Sequence, residues 1–585
     1  MTTRSRLGRT IGALCLAGLG AGCAGSPPPA SFDGALQHLE ADLLPQIAVQ
    51  DADPLQAASL PAVTSSLPLA EQLPSAEAYP LQGGDSQLPA GDGRLQLEIV
   101  SSAEKADGSR PERRWLVEVA ERFNQRQERS ASGRRIEVVI RTIPSGLAAQ
   151  MLLAGRLRPA AYTPASGQWL DLLQRQGLAT TRLSDRLVGN GSVIAIHRQA
   201  WRRLGGQGAP DFGSVVDHAL AGRLRMGYCN PYICSPGLDF LHTLLWVSAG
   251  NGQAEGRPAL QVADLQRQAV TGSFALFQQR MASTSPTYLE QVERWRSDPQ
   301  VFDAVLMAHQ SYLRLRRQPG FEELEAVPFG SPQESPLVAL PWTTSEQQQA
   351  LRRFASFATG PQMQALARQS DFLAPTAIPP EARPPRADGE VLRQAQAQWK
   401  RRKDGARTVY LQLVIDRSGS MRQHGRMRQL KKAVAIASGA INPGNQVGLI
   451  SFGDHPIRHL PLQPYTSALR GRLLAAVQQL EPEGSTAIYD GLAVAMADLM
   501  RERQRDPQGR FVVLLLSDGE RTSGLTLPEL QPVLAQSGIT VIPIAYGEVN
   551  AQELQELAAI REGSVYAGSP EQIVPLMNDL LQTNL

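Results

Sequence analysis

The stretch Val409-Tyr-Leu-Gln-Leu-Val-Ile-Asp416-Arg-Ser-Gly-Ser-Met421 decides how this chain is read. Its opening residues are rich in Val, Ile and Leu and too few for a helix, which is the pattern of a parallel strand buried on both faces. Asp416 closes that run, so its carboxylate should emerge at the carboxyl edge of a sheet, where ligands bind in open α/β folds. Ser418 and Ser420 follow closely enough for a turning loop to bring both hydroxyls back towards the carboxylate. Oxygen ligands of this kind suit Mg²⁺ or Mn²⁺, whereas zinc would draw on thiolate or imidazole. Taken alone, the same letters also describe a strand followed by a serine N-cap.

Two further segments carry the metal reading. Gly484-Ser485-Thr486 precedes a helical pattern of Ile488, Leu492, Met496 and Leu499, which places the Thr486 hydroxyl at a helix N-terminus. Phe511 to Leu516 forms a second buried run and ends in Ser517-Asp518-Gly519. Three loops after buried elements, each bearing an oxygen ligand, resemble the von Willebrand factor A domain with its metal-ion-dependent adhesion site. Asp416, Ser418, Ser420, Thr486 and Asp518 match the five motif positions. The resemblance covers residues 405–585 and implies a doubly wound, mainly parallel sheet, bound Mg²⁺ or Mn²⁺, and a protein partner that offers an acidic residue to the metal. Helical spacing of Met427, Leu430, Val434, Ala437 and Ile441, strands at Val447 to Phe452, Ile539 to Ala545 and Ser564 to Tyr566, and a closing helix from Glu571 to Leu581 fit that alternation.

An enzyme is the competing class, since Mg²⁺ beside an aspartate also serves phosphoryl transfer. A phosphatase of the haloacid-dehalogenase type needs a second Asp two residues after its nucleophile as acid and base. Ser418 stands there, and a hydroxyl cannot do that work near neutral pH. The chain has no phosphate-binding Gly-Lys loop, no zinc-protease His-Glu-x-x-His and no Gly-x-Ser-x-Gly elbow. No catalytic residue is therefore assigned.

Upstream, strands and helices alternate from Leu95 onward: Trp115, Leu116, Val119, Ala120 and Phe123 at helical spacing, then strands at Ile136 to Ile140 and Val193 to His197. Several strand ends are polar. Ser101 and Ser102, Ser145, Ser166 and Ser235 each put a hydroxyl and free backbone N–H groups before an apolar helical run, a setting that holds an anion or another polar ligand and equally describes plain N-caps. Residues 94–379 resemble the type II periplasmic solute-binding fold, two α/β lobes with a cleft between them. The likeness is carried best by Pro336-Leu-Val-Ala-Leu-Pro-Trp-Thr-Thr-Ser-Glu, Gly360-Pro-Gln-Met-Gln and Phe372-Leu-Ala-Pro. The resemblance implies a small anion or other polar solute as ligand, with a role in an ABC importer as the alternative to a free-standing binding module. Residues 380–404, with clustered prolines and then Leu392, Ala395 and Trp399, read as a linker.

The 585 residues exceed one core, and 42% hydrophobic content supports globular domains. Arg4, Arg6 and Arg9 carry the formal net charge of +3, so a chain processed after residue 22 is neutral and offers no nucleic-acid surface. Residues 1–22 have a basic start, an apolar stretch from Ile11 to Leu19 and small residues before Cys23, the layout of a secretory signal. Leu19-Gly-Ala-Gly-Cys23 is similar to a bacterial lipoprotein box, with Gly20 where that family prefers a branched apolar residue. It implies lipidation at Cys23, a membrane anchor and a place in the cell envelope; an ordinary signal cut near Ala24 is the alternative. Residues 23–93 hold nine acidic residues and no Lys or Arg, and read as a flexible tether in which a short helix around Leu36 to Leu44 has room to form. In an exported chain the close pair Cys229 and Cys234 reads as a disulfide, since no neighbouring Cys or His completes a zinc site.

Overall fold

A computed structural model describes residues 31–52, 76–84, 93–107, 113–281, 283–285, 287–372, 377–402, 407–518 and 521–546, with single residues or short runs at 29, 73, 553–554, 557, 566–568, 573, 576–577 and 581. The leader and Cys23 lie outside the described residues, as does most of the expected closing helix. Strand β1 (Gln50–Asp51) belongs to the last of three sheets and is taken up with it.

The first sheet contains β2 (Leu81–Gln82), β3 (Arg94–Ser101), β4 (Arg135–Thr142), β5 (Ala161–Thr163) and β6 (Thr181–Ser184). The chain then crosses to a second sheet of β7 (Asn190–His197), β8 (Met226–Cys229), β9 (Ser283–Ser285), β10 (Ala304–Ala308) and β11 (Leu324–Gln333), and returns to the first through β12 (Leu337–Ala339). The orders are β2-β4-β3-β5-β12-β6 and β11-β7-β10-β8-β9. Two lobes joined by two crossings, 185–189 and 334–336, are the result. In the first lobe β3 runs parallel to β4 and β5, and its inward residues Leu95, Leu97 and Ile99 pack with Trp115, Phe123 and Phe354.

The third sheet adds β13 (Val409–Asp416), β14 (Gln446–Phe452), β15 (Pro456–Pro464), β16 (Arg510–Ser517), β17 (Thr540–Tyr546) and β18 (Tyr566–Gly568) in the order β1-β15-β14-β13-β16-β17-β18. β15 runs antiparallel to β14, and β1, parallel to β15, runs with it; β13 pairs in parallel with β14 and β16, and β17 with β16 and β18. All eight residues of β13 are buried, because helices cover both faces: Arg426–Ala437 and Ser467–Gln478 on one side, Ile488–Arg505 and Leu527–Ser537 on the other.

Two segments correct the sequence reading. Residues 31–52 are not tether. A helix at Phe32–His38, capped by the Ser31 hydroxyl, continues through Leu43 and buries Ala35, Leu36, Leu39, Leu43 and Ile47 in the core of the third sheet's domain. Then β1 adds to the sheet edge beside β15, with Arg458 paired to Asp51 and Arg501 to Glu40. The short helix expected around Leu36 to Leu44 is present, starting at Phe32; the acidic composition of the segment gave no sign that its apolar face docks on a partner more than 400 residues away in sequence. Nor is 380–404 merely a linker, because Gly389–Arg402 is a helix that buries Val391, Leu392, Ala395 and Trp399 in the core shared by the two lobes.

Candidate metal centre and interlobe cleft

Asp416 ends β13, and its neighbours in the sheet bring the other expected ligands to the same edge. Asp416 Oδ1 accepts the Ser418 backbone N–H at 2.7 Å, and Oδ2 accepts the Ser517 hydroxyl at 2.6 Å. Ser418 Oγ and Ser420 Oγ lie 3.0 Å apart. Ser420 Oγ donates to Asp518 Oδ1 at 2.7 Å, which ties the loop after β13 to the loop after β16. The Thr486 loop reaches the same place through the Gly419 N–H, which donates to Gly484 O at 3.0 Å. Gly484 has φ +77°, and a Cβ there would lie 2.6 Å from an Asp454 carboxylate oxygen, so the approach of this loop requires glycine. Thr486 itself is buried, and its N–H donates to Thr522 Oγ1 at 2.8 Å.

The structure thus gathers Asp416, Ser418, Ser420 and Asp518 into one hydrogen-bonded cluster and sets Thr486 on the adjoining loop. The donor set is two carboxylates and three hydroxyls, oxygen throughout, which fits a hard divalent cation. Burial pushes the Asp416 carboxyl up to about 6; hydrogen bonds from Ser418 and Ser517 pull the other way, and the Asp518 charge adds to the rise. Two residues of this site escaped the sequence reading. Ser517 fixes one Asp416 oxygen, and its position next to Asp518 was the available signal. Arg426, on the first turn of Arg426–Ala437, donates from Nη1 to Asp518 Oδ2 at 2.7 Å with both side chains nearly buried. Nothing distinguishes it in sequence from Arg422 or Arg428 beside it.

The interlobe cleft is lined by Glu104, Ser145, Ser235, Thr287, Tyr288 and Gln333 among others. Of the five expected serines only Ser145 and Ser235 reach it. Both hydroxyls accept hydrogen bonds, Ser145 from the Ala165 N–H at 3.1 Å and Ser235 from Trp169 Nε1 at 2.8 Å. Ser101 is buried at the end of β3, and its hydroxyl donates to Ser102 O at 3.4 Å. Ser102 Oγ donates to Glu104 Oε1 and accepts from Lys105 Nζ, each at 2.6 Å. Ser166 is buried away from the lining, its hydroxyl without a partner among the described residues. A strand end before a helix was too common a pattern to select among them. Burial pulls the Lys105 ammonium down to about 8, against the neighbouring Glu104 charge. Cys229 and Cys234 are joined in a disulfide at the cleft's edge. Among the described residues no helix is long and apolar enough to cross a membrane.

Comparison with known proteins assigns the two halves. Residues 111–373 match the bacterial extracellular solute-binding protein family, and residues 411–574 match the von Willebrand factor type A domain. Among curated proteins, calcium-activated chloride channel regulator 1 of Sus scrofa is 29% identical over 152 residues, 26% of this chain and 16% of that protein. An uncharacterized protein of Mycobacterium tuberculosis is 35% identical over 113 residues, 19% of this chain and 17% of that one. The chain spans about a sixth of the length of these relatives. Among solved structures, a periplasmic thiamin binding protein aligns with TM-score 0.40 and 11% identity over 54% of this chain and 99% of its own. A von Willebrand factor type A protein from Catenulispora acidiphila aligns with TM-score 0.27 and 22% identity over 30% of this chain and 42% of its own. The chain thus joins a segment of the bacterial extracellular solute-binding protein family to a von Willebrand factor type A domain.

Proposed function

We propose that the protein is a binding module of the cell envelope in which the C-terminal domain, residues 405–585, captures a partner protein through a divalent cation. The observation that carries this reading is the convergence of Asp416, Ser418, Ser420 and Asp518, with Thr486 adjacent, at the carboxyl edge of the third sheet. A Mg²⁺ or Mn²⁺ ion held there supplies an electrophilic position able to take a carboxylate. Arg426 offsets one of the two negative charges, so the site keeps a net charge of about −1 before it takes a dication. Ser517 and the Ser418 N–H orient Asp416, and Ser420 orients Asp518. Ser418 stands where a phosphatase of the haloacid-dehalogenase type needs its second aspartate, which favours binding over catalysis.

Isothermal titration of the full chain with Mg²⁺ and with Mn²⁺ tests the site. Wild type should bind one ion, Asp416→Ala with Asp518→Ala should bind none, and Thr486→Ala should bind more weakly than wild type. Equal uptake by wild type and the double variant would sink the assignment.

For residues 94–379 the reading is a polar small solute held between the lobes. Its support is the polar lining of Glu104, Ser145, Ser235, Tyr288 and Gln333 at the meeting of two α/β lobes. Native mass spectrometry of protein purified from cells reads a retained solute directly. Lipidation at Cys23 would place both domains outside the cytoplasm on a membrane.

A further inference from the structure

The two lobes touch across their cleft, and a helix outside the matched solute-binding segment, residues 111–373, binds both. On the cleft side, the Gly146 N–H donates to Ile233 O at 3.0 Å, and Gln150 Nε2 donates to Tyr232 O at 3.2 Å. Gly146 lies so near Tyr232 O that a Cβ would stand 2.0 Å from it. The cavity that remains measures about 40 Å³, room for roughly one water molecule.

The helix Gly389–Arg402 also bridges the two lobes. Towards the first lobe it meets the helix Gln168–Arg175: Glu390 accepts from Arg175 Nε at 2.9 Å, Arg386 just before the helix grips Asp171, and a Cβ on Gly389 would lie 2.3 Å from Asp171 O. Towards the second lobe, Gln396 Nε2 donates to Pro231 O at 2.8 Å, Trp399 Nε1 donates to the Tyr228 hydroxyl, and the Trp399 ring lies against Tyr232 at 6.0 Å between centroids. Val391, Leu392, Ala395 and Trp399 fill one core with Trp169 and Leu173 of the first lobe and Tyr228, Leu241 and Phe277 of the second. Separation of the lobes would therefore expose this apolar surface or strip the helix from one side. The helix also leads into β13 after six residues, 403–408, and Lys400 O accepts from Asn442 Nδ2 of the C-terminal domain at 3.1 Å.

We propose that the helix Gly389–Arg402 is a latch that holds the interlobe cleft shut, so that solute enters only when this helix leaves one lobe. The element that shuts the cleft is then the same element that joins the two domains. Its use presupposes the solute-binding reading, but its test needs no solute, so the two can fail separately.

Hydrogen exchange of the full chain, read by mass spectrometry, measures the latch. Arg386→Ala with Glu390→Gln removes the exposed ion pairs to the first lobe, and Trp399→Ala removes the anchor in the second. In each, peptides at 144–153 and 230–240 should exchange about tenfold faster or more, together with 389–402, while β13 and β16 keep their protection. Faster exchange at 389–402 with the cleft peptides unchanged would overturn the proposal, because the helix would have left without opening the lobes. If Trp399→Ala unfolds both lobes and the ion-pair variant loosens nothing, the proposal also fails, since such a helix is a fixed part of the core.

Discussion

Replacing Asp239 by Asn should remove a pH-dependent loss of stability from the solute-binding-like domain. Asp239 is fully buried in the helix Ser235–Ser248, where Oδ2 accepts from Ser192 Oγ at 2.6 Å and from Gln333 Nε2 at 3.0 Å. Burial is the largest influence and pushes its carboxyl from 3.8 up to about 6, against these hydrogen bonds and one from the Ser331 backbone. An unfolded carboxyl releases its proton near pH 4, while the buried one keeps it to about pH 6. The folded chain therefore binds more protons in this window, and stability falls as pH rises through it. A shift of about two pH units corresponds to ~3 kcal/mol, lost between about pH 4 and pH 6 and constant above. Asparagine can accept from Ser192 and Gln333 with its carbonyl oxygen and has no proton to release. Its amide nitrogen needs a partner, which lowers stability by ~1–3 kcal/mol at every pH without tilting the curve. The quantity to read is the difference between variant and wild type, in which Glu290 and His242, titrating in both chains, cancel. Urea unfolding from pH 4 to pH 8 should show that difference moving by ~3 kcal/mol in favour of the Asp239→Asn variant between pH 4 and pH 7. Parallel profiles would refute the reasoning, because they would mean that Asp239 is equally ionised in the folded and unfolded chain.

Leu39→Ala should lower the unfolding free energy of the C-terminal domain by about 2–5 kcal/mol, because Leu39 is fully buried in that domain's core; an unchanged transition in chemical denaturation would mean that residues 31–52 do not dock there in solution. Arg426→Met should raise Mg²⁺ affinity about tenfold, since a cation 2.7 Å from Asp518 Oδ2 opposes the ion, and titration that finds equal or weaker binding would contradict this. Cys23→Ser should shift the protein from the membrane to the soluble fraction of cells, and identical fractionation with no acyl group on Cys23 would remove the anchor.

The gathering of Asp416, Ser418, Ser420 and Asp518 at one sheet edge was legible because Asp416 and Asp518 stand at or just past the end of a buried strand, and the two serines follow Asp416 within four residues. Arg426 was not, since its role depends on how the 3-10 turns at Gly419–Gly425 aim the next helix. The lobes were legible as alternating strands and helices, but of the cleft's lining Ser145 and Ser235 alone were anticipated: Glu104, Tyr288 and Gln333 come from three distant segments that the two crossings bring together. Residues 31–52 and 389–402 were legible only in part, for a related reason. Each carries an apolar stripe at helical spacing, Leu36, Leu39 and Leu43 in one and Leu392, Ala395 and Trp399 in the other, and the stripe was visible while composition argued for a tether and a linker around it. A short amphipathic helix between domains says that it packs, not on what.

The docking of residues 31–52 also sets which way the cluster of Asp416, Ser418, Ser420 and Asp518 points. Phe32 lies under the Arg503 guanidinium, 5.2 Å from ring centroid to Cζ, near the end of the helix Ile488–Arg505 remote from Thr486. That helix has 18 residues, so its two ends are about 27 Å apart. The chain thus enters the C-terminal domain at the floor of its sheet and carries Asp416, Ser418, Ser420 and Asp518 at the roof. With Cys23 lipidated, seven residues separate the anchor from Ser31, so that the eight steps between them span at most about 28 Å, in place of the long leash that a tether through residue 93 would provide. The domain would then stand close to the bilayer with its floor towards the lipid, and the carboxyl edge of its sheet would face outward, open to proteins arriving from the far side.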